Sequence, residues 1–374
     1  MDIKFDGKKK EYVLGSTTYT KAAFIAYIQS DMLQNALETE PTTLQVSDTR
    51  VNGGINKIYY GAPGCGKSFL VQNLLDKAHV KKENRIRVTF HPEYSNTDFI
   101  GQILPTIEEV PNSDGSKKEI VKYVFNPGPF TLALKRALET NDMVYLIVEE
   151  INRGNAAAIF GDLFQLLDRV KDNSKPNYSF SEYPICNVNI QKYIKDELGL
   201  TDYDEVVIPS NLTILATMNS SDQNVFTLDT AFKRRWTFEQ ISNDIVKDSN
   251  HSYKNWYVPG TDVTWSTFLV KLNDKILDYK IHNQTNEDKR LGKYFVTKDC
   301  LTEKVEKIAD VKETAENFAY KVLEYIWNDV CKIGREEWFD TLTYKTLEDL
   351  IAAFIEPDEA SGKTPLSVFL NISF

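Results

Sequence analysis

One short segment restricts the fold of this chain more than any other. Residues 61–68 read Gly-Ala-Pro-Gly-Cys-Gly-Lys-Ser, which matches the G-x-x-x-x-G-K-[ST] pattern of a phosphate-binding loop. The apolar run at 58–60 predicts the end of a buried strand, and residues 69–75 predict the start of a helix. In that context the backbone N–H groups of the loop and the helix N-terminus can surround phosphate. The sequence therefore predicts a nucleotide-binding α/β fold.

The loop supplies the predicted contacts to the nucleotide and to its metal ion. Lys67 is predicted to reach the β- and γ-phosphates, and the Ser68 hydroxyl is predicted to bind Mg²⁺. The remaining contacts are expected from the glycines and their neighbours: Gly61, Ala62, Pro63, Gly64, Cys65, Gly66 and Phe69. A glycine-rich turn without a ligand is the alternative, and the strand–loop–helix order argues against it.

Composition excludes several other classes of protein. The 374 residues are 42% hydrophobic, which suits two domains or one large α/β domain with an additional segment. A net charge of −10 predicts no bulk attraction to DNA or anionic lipid. The four cysteines form no C-x-x-C pair, which argues against a disulfide framework and a zinc ribbon, and the four histidines form no H-E-x-x-H motif of a metalloprotease. Without a secretory signal or a transmembrane run, we expect a cytoplasmic protein with no membrane partner.

The pattern along the chain predicts three parts. Residues 1–50 are a short N-terminal extension with a helix-like stretch at 21–37. Residues 51–241 alternate apolar strands with helical patterns, which predicts a parallel sheet flanked by helices. Residues 242–374 predict a helical lid and C-terminal region, with helices at 265–279, 305–328 and 347–354.

Five strands are predicted within the central part, and two segments between them are predicted to be irregular insertions. The strands are at 57–60, 86–89, 144–148, 212–217 and 237–239. The insertions are at 103–124 and 171–207.

Two of these strands end in side chains that suit phosphoryl transfer. The apolar strand at 143–148 ends in Glu149 and Glu150. Because Mg²⁺ is held by one or two carboxylates together with phosphates, Glu149 is predicted to hold the metal through water. Glu150 is predicted to be the catalytic base, and Asn219, at the tip of the 212–217 strand, is predicted to hold the attacking water.

A basic cluster follows the next helical segment. Residues 228–236 read Leu-Asp-Thr-Ala-Phe-Lys-Arg-Arg-Trp. Basic residues at a helix end can simply complement its dipole. The alternative is an arginine finger that reaches the nucleotide of a neighbouring subunit, and Arg234 and Arg235 are equal candidates for it.

Together these motifs resemble the AAA+ superfamily and, within it, the McrB branch, the NTP-driven motor subunit of modification-dependent restriction systems. The resemblance spans residues 50–300 and includes the Phe-His-Pro-Glu-Tyr-Ser run at 90–95, Glu-Ile-Asn-Arg-Gly-Asn at 150–155 and Met-Asn-Ser-Ser-Asp at 218–222. It implies a P-loop NTPase that binds Mg²⁺ and hydrolyses ATP or GTP. It also implies that Arg290, in the run 289–295, contacts the γ-phosphate; a surface arginine is the alternative.

The sequence departs from the pattern of this branch in three ways. Glu149 stands where the family usually has Asp, so the distance to the metal can differ, and Gln223 stands where McrB proteins carry Arg. Residues 1–50 are too short for the DNA-reading domain of full-length McrB proteins. We therefore expect any DNA contact to be indirect or to arise through the assembly.

The resemblance also implies partners. A finger that acts on a neighbour requires a ring or spiral, and AAA+ relatives are typically hexameric. The expected assembly is a homo-oligomeric ring with an McrC-like nuclease subunit, in a DNA restriction or phage-defence complex. Two alternatives stay open at this point: a MoxR-like ATPase chaperone that remodels proteins, and a nucleotide-dependent scaffold with little turnover.

Overall fold

The computed structural model describes residues 3–6, 11–14, 17–20, 50–111, 117–219, 225–279 and 286–374. The chain divides into two compact units, Met1–Thr49 and Arg50–Phe374. The first unit contains an antiparallel sheet of three short strands in sequence order: β1 (Ile3–Asp6), β2 (Glu11–Leu14) and β3 (Thr17–Thr20). These strands were not predicted, although Ile3-Lys4-Phe5-Asp6 alternates apolar and charged residues as a strand does. The helix predicted at 21–37 lies outside the described residues.

A five-stranded parallel sheet organises the first half of the second unit. Its strands are β4 (Asn56–Gly61), β5 (Arg85–Thr89), β8 (Val144–Glu149), β9 (Leu212–Asn219) and β10 (Thr237–Gln240). They lie in the order β10-β4-β9-β8-β5, and each adjacent pair is parallel. All five predicted strands are thereby confirmed, together with the α/β fold class.

Nine α-helices within the described residues accompany the strands. They are α1 (Lys67–Lys77), α2 (Asn96–Ile100), α3 (Pro129–Glu139), α4 (Ala156–Phe160), α5 (Val188–Leu198), α6 (Thr230–Lys233), α7 (Trp265–Asp278), α8 (Lys312–Phe318) and α9 (Leu347–Ile355). None of the helices in the described part of the chain is long and apolar enough to cross a membrane.

The sheet is buried on both faces because its central strands alternate between two hydrophobic clusters. In β8, Leu146 and Val148 pack with α3, α4 and α5, whereas Ile147 packs on the opposite face with α1. Residues of β9 divide in the same way. Parallel strands covered on both faces read as continuous apolar runs, which is why these strands were recognisable from the sequence.

Both predicted insertions contain more regular structure than expected. Residues 103–124 lie within an antiparallel hairpin of β6 (Gly101–Pro111) and β7 (Lys117–Pro127), and the residues that connect the two strands, 112–116, lie outside the described residues. Residues 171–207 contain α5, which Asn187 caps by accepting a hydrogen bond from the Ile190 backbone. The prediction of irregular structure was wrong for these stretches, because period-2 and i, i+4 apolar patterns were present in them.

The region after β10 has its own hydrophobic cluster, formed by residues between 245 and 369. The helices predicted at 265–279 and 347–354 are confirmed as α7 and α9. The middle helix begins only at Lys312 and widens into π-helical turns at Ala319–Leu323 and Ile326–Val330. Because contacts unite Arg50–Phe374 in one compact unit, the predicted boundary at 241 stays a prediction.

Candidate active site

The phosphate-binding loop joins the end of β4 to the start of α1. Gly64 and Gly66 have φ angles of +74° and +96°, which L side chains rarely adopt, so glycine is required at both positions. Gly66 precedes the first residue of α1, and no side chain among the described residues caps this helix end. The first N–H groups of α1 are therefore available to an anion.

Lys67 is buried in this loop, with 6% of its surface exposed. Its ammonium group donates to the carbonyls of Gly61 at 3.2 Å and Ala62 at 3.0 Å. A buried ammonium whose partners are neutral carbonyls is only partly compensated, which favours exchange of these acceptors for a phosphate. The Cys65 sulfur lies 3.8 Å from the Lys67 nitrogen, and burial raises the pKa of its thiol. This side chain therefore packs inside the loop as an uncharged group.

The predicted metal-binding side chains lie together. The Ser68 hydroxyl donates to a Glu149 carboxylate oxygen at 2.9 Å, and the same oxygen accepts from Thr217. The other oxygen pairs with Arg87, which also donates to Gln72 at 3.1 Å. One carboxylate and one hydroxyl oxygen suit Mg²⁺, a hard cation that takes its remaining ligands from phosphates and water. The described residues contain no cluster of three or more His, Cys, Asp or Glu that could hold a metal without phosphates.

The predicted base and the predicted water-holding amide are hydrogen-bonded to each other. The Asn219 amide donates to both Glu150 oxygens, at 3.0 and 2.9 Å. Arg153 also approaches Glu150, at 3.3 Å. Glu150 has a φ of +55°, an uncommon backbone conformation that costs about 1–3 kcal/mol and that is typical of functional sites.

The register of the sheet brings these groups to one edge. Gly61 pairs with Asn219 across β4 and β9, and Glu149 pairs with Thr89 across β8 and β5. The loop, the two carboxylates and the amide thus lie at the carboxyl ends of parallel strands, where ligands bind in open α/β sheets. Asn152 joins two of these elements, because its side chain donates to the Asn219 carbonyl at 2.8 Å.

The two candidate finger residues have very different surroundings. The Arg235 side chain is 9% exposed, pairs with Asp168 at 2.6 Å, donates to the Ala231 carbonyl at 2.8 Å and lies 3.9 Å over the Phe164 ring. Arg234 is exposed, and its guanidinium has no hydrogen bond or ion pair within the described ranges. Arg234 is therefore the one that can reach another molecule.

Arg290 lies on a cleft of about 1150 Å³ beside the start of the loop. The cleft is lined by Tyr60, Gly61, Ala62, residues 240–246, parts of α7, Glu287 and Arg290. Arg290 donates to the carboxylate and the carbonyl of Glu287, each at 3.0 Å. Its role toward the γ-phosphate stays a prediction.

Phe69 is exposed, and its ring lies 6.2 Å from that of Tyr294. Asp222, the last residue of the Met-Asn-Ser-Ser-Asp motif, and the following Gln223 lie outside the described residues.

Two residues of this site were not predicted. Thr217 was included in a strand without a role, and Arg87 was not considered. The available signal at Arg87 was a charged residue within a strand pattern, Arg-Ile-Arg-Val-Thr, where burial would otherwise be expected.

Comparisons with known proteins identify the family of this chain. Residues 57–236 match the family described as AAA domain (dynein-related subfamily). A component of the type II restriction enzyme BsuMI from Bacillus subtilis, YdiS, is 34% identical over 318 residues, which cover 80% of this chain and 85% of that protein. The chain belongs to the McrB-like branch of the AAA+ superfamily.

A second relative is the EcoKMcrB subunit of a type IV methyl-directed restriction enzyme from Escherichia coli, 28% identical over 221 residues. The match covers 58% of this chain and 41% of that subunit. This AAA+ chain therefore aligns with less than half of the second protein, and with most of the first.

Proposed function

We propose that this McrB-like AAA+ protein hydrolyses ATP or GTP with Mg²⁺. The observation that supports this most strongly is the pairing of Glu150 with Asn219 at the sheet edge where the phosphate-binding loop ends. Ser68, and Glu149 through water, would hold the metal, and Lys67 would bind the β- and γ-phosphates. Mg²⁺, when bound, neutralises charge on the phosphates.

Glu150 and Asn219 act on the attacking water. In this structure Asn219 orients the Glu150 carboxylate, and with nucleotide bound it would also orient the water. Glu150 takes a proton from that water as its oxygen bonds to the γ-phosphorus and the bond from this phosphorus to the β–γ bridging oxygen breaks, which releases the nucleoside diphosphate and phosphate. For Glu150 to accept this proton, the Arg153 guanidinium must move away from its carboxylate or keep contact with only one of its oxygens. The reason is that an ion pair stabilises the charged carboxylate and makes it a weaker base.

Steady-state phosphate release with ATP and with GTP tests this function. Glu150→Gln should bind nucleotide like the wild type and hydrolyse it at least about a hundredfold more slowly, the usual contribution of a general base. Glu303→Gln, an exposed position in the lid region, is the matched control and should hydrolyse normally. Wild-type turnover by Glu150→Gln would contradict the assignment of the base, and absence of hydrolysis of both nucleotides by the wild type would contradict the function.

We also propose that the protein works as the motor subunit of a ring, with Arg234 as the finger that acts on a neighbour's nucleotide. The exposed position of Arg234, next to the anchored Arg235, supports this choice. Both relatives are components of restriction enzymes, which supports a role in a DNA restriction or phage-defence complex with an McrC-like nuclease subunit. DNA would then be engaged through the assembly.

Mass measurement in solution tests the ring. The Glu150→Gln variant with Mg²⁺ and nucleotide should form a homo-oligomer. Because this variant does not hydrolyse its nucleotide, every subunit keeps the triphosphate that the finger of its neighbour is proposed to contact. A monomer under these conditions, at micromolar protein, would contradict the proposed assembly.

A further inference from the structure

We propose that residues 291–295, which we call the lid strap, position the phosphate-binding loop for the nucleotide, an inference that rests on the proposed function. The strap follows Arg290 and lies directly on the loop. The backbone N–H of Gly292 donates to the Pro63 carbonyl at 2.9 Å, and that of Tyr294 donates to the Gly64 carbonyl at 2.8 Å. The strap thus occupies two carbonyls of the loop, while phosphate binding uses N–H groups.

The approach of the two segments is so close that only glycine fits. A Cβ atom on Gly292 would lie 2.0 Å from the Gly64 carbonyl carbon and 2.2 Å from the Cys65 nitrogen. In the other direction, a Cβ atom on Gly64 would lie 2.7 Å from the Cα of Phe295. The φ of Gly292 is outside the left-handed region, so a side chain there is opposed by the loop backbone alone. The effect of a substitution at position 292 therefore measures the contact with the loop and not backbone strain.

A buried ion pair holds the strap in place. Lys293 and Asp248 lie 2.7 Å apart, each with 12% of its side chain exposed, and the Tyr294 hydroxyl donates to the same carboxylate at 3.1 Å. Burial alone would raise the pKa of the Asp248 carboxyl. The hydrogen bond from Lys293, together with its other polar contacts, outweighs this effect, so the pKa lies below its usual value. The Lys293 carbonyl accepts from the Trp265 indole at 3.0 Å and lies 2.7 Å from the His251 ring. These contacts together favour one conformation of the strap, and the Nδ1 atom of His251 is the one ring nitrogen there without a hydrogen-bond partner among the described residues.

The strap also connects the loop to the wall of the cleft. Asn273 exchanges two hydrogen bonds with the Leu291 backbone, at 2.9 and 3.0 Å. Asn243 donates to the Leu291 carbonyl at 2.7 Å and accepts from the Lys293 N–H at 2.9 Å. Both asparagines line the cleft beside Gly61. A ligand that contacts these asparagines is therefore connected to the phosphate-binding loop through the backbone of residues 291–294.

Gly292→Ala tests the strap in the full chain. We expect the affinity for fluorescently labelled ATP and GTP, each with Mg²⁺, to fall about tenfold or more, because overpacking against a rigid backbone displaces one partner. In the nucleotide-free protein, amide hydrogen exchange at residues 61–68 should become faster, while exchange in β8 and β9 stays as in the wild type.

Gly54→Ala is the matched control, because its Cβ would also collide with backbone, 2.5 Å from the Leu212 carbonyl, but at the other end of the sheet. It should lower stability without changing nucleotide affinity or exchange at 61–68. If Gly292→Ala fails to fold, Lys293→Met replaces it and should show the same two effects. Lys293→Arg, which keeps the charge, should restore both values toward those of the wild type.

Two results would overturn the proposal: unchanged affinity and loop exchange in Gly292→Ala, or an equal loss of affinity in Gly54→Ala. Failure of the proposed function looks different. In that case the wild type binds neither nucleotide, while the exchange measurement on the nucleotide-free protein still reports whether the strap holds the loop.

Discussion

The two adjacent arginines should separate stability from hydrolysis. Arg235→Ala removes an ion pair, a hydrogen bond to a carbonyl and a guanidinium–ring contact. Removing one partner of a buried pair costs about 3–5 kcal/mol. Asp168 keeps 25% of its side chain exposed, so solvent partly compensates it, and we expect a loss of about 2–4 kcal/mol. Arg234→Ala changes an exposed residue, and its effect on stability should stay within about 0.5 kcal/mol.

Hydrolysis should show the opposite order. Arg234→Ala should bind nucleotide normally and hydrolyse it about a thousandfold more slowly, as expected when a finger is lost. Arg235→Ala should keep substantial turnover at a temperature where it is folded. Urea denaturation gives the stability difference, and phosphate release gives the rates.

Mixing two inactive variants adds a test that a monomeric enzyme cannot pass. Glu150→Gln subunits keep the finger, and Arg234→Ala subunits keep the base. A mixed ring contains some interfaces with both, so activity should partly return and vary with the mixing ratio. If co-assembled mixtures stay inactive, the finger does not act across an interface. If instead Arg235→Ala is fully stable and inactive while Arg234→Ala hydrolyses normally, the reasoning from the Asp168 pair is refuted.

Three further predictions concern the loop, the metal and the strap. Lys67→Ala should weaken nucleotide binding about 10- to 150-fold in calorimetry, the equivalent of one charge-assisted contact, while the circular dichroism spectrum stays that of the wild type. Arg87→Gln frees one Glu149 oxygen, so half-maximal binding of labelled nucleotide should need several-fold less Mg²⁺, and an unchanged titration would contradict this. Burial lowers the pKa of His251 below its usual 6.5, so the unfolded chain binds a proton at this residue more readily than the folded protein does. The free energy of unfolding should therefore fall as the pH drops below about 6.5. His251→Gln should flatten that part of the pH dependence measured by urea denaturation.

The sequence alone determined the parts of this protein that are encoded in short contiguous patterns. A glycine-rich loop between a strand and a helix fixes its own backbone geometry, and the apolar runs before Glu149 and Asn219 identify buried parallel strands. Since the carboxyl ends of parallel strands meet at one edge, the proximity of these side chains followed without coordinates. The hairpin at 101–127 and the helix at 188–198 were missed although their local patterns were present.

Features that depend on residues distant in the chain could be seen only after the elements had packed together. Arg234 and Arg235 are neighbours in one sequence, and their difference comes from Asp168 and Phe164, which approach only one of them. The contact of Gly292 with Gly64 joins residues more than two hundred positions apart, and no spacing in the sequence indicates it. Orientation of a side chain and close approach of two backbones are set by packing between elements, because the local sequence fixes only which conformations each element can adopt.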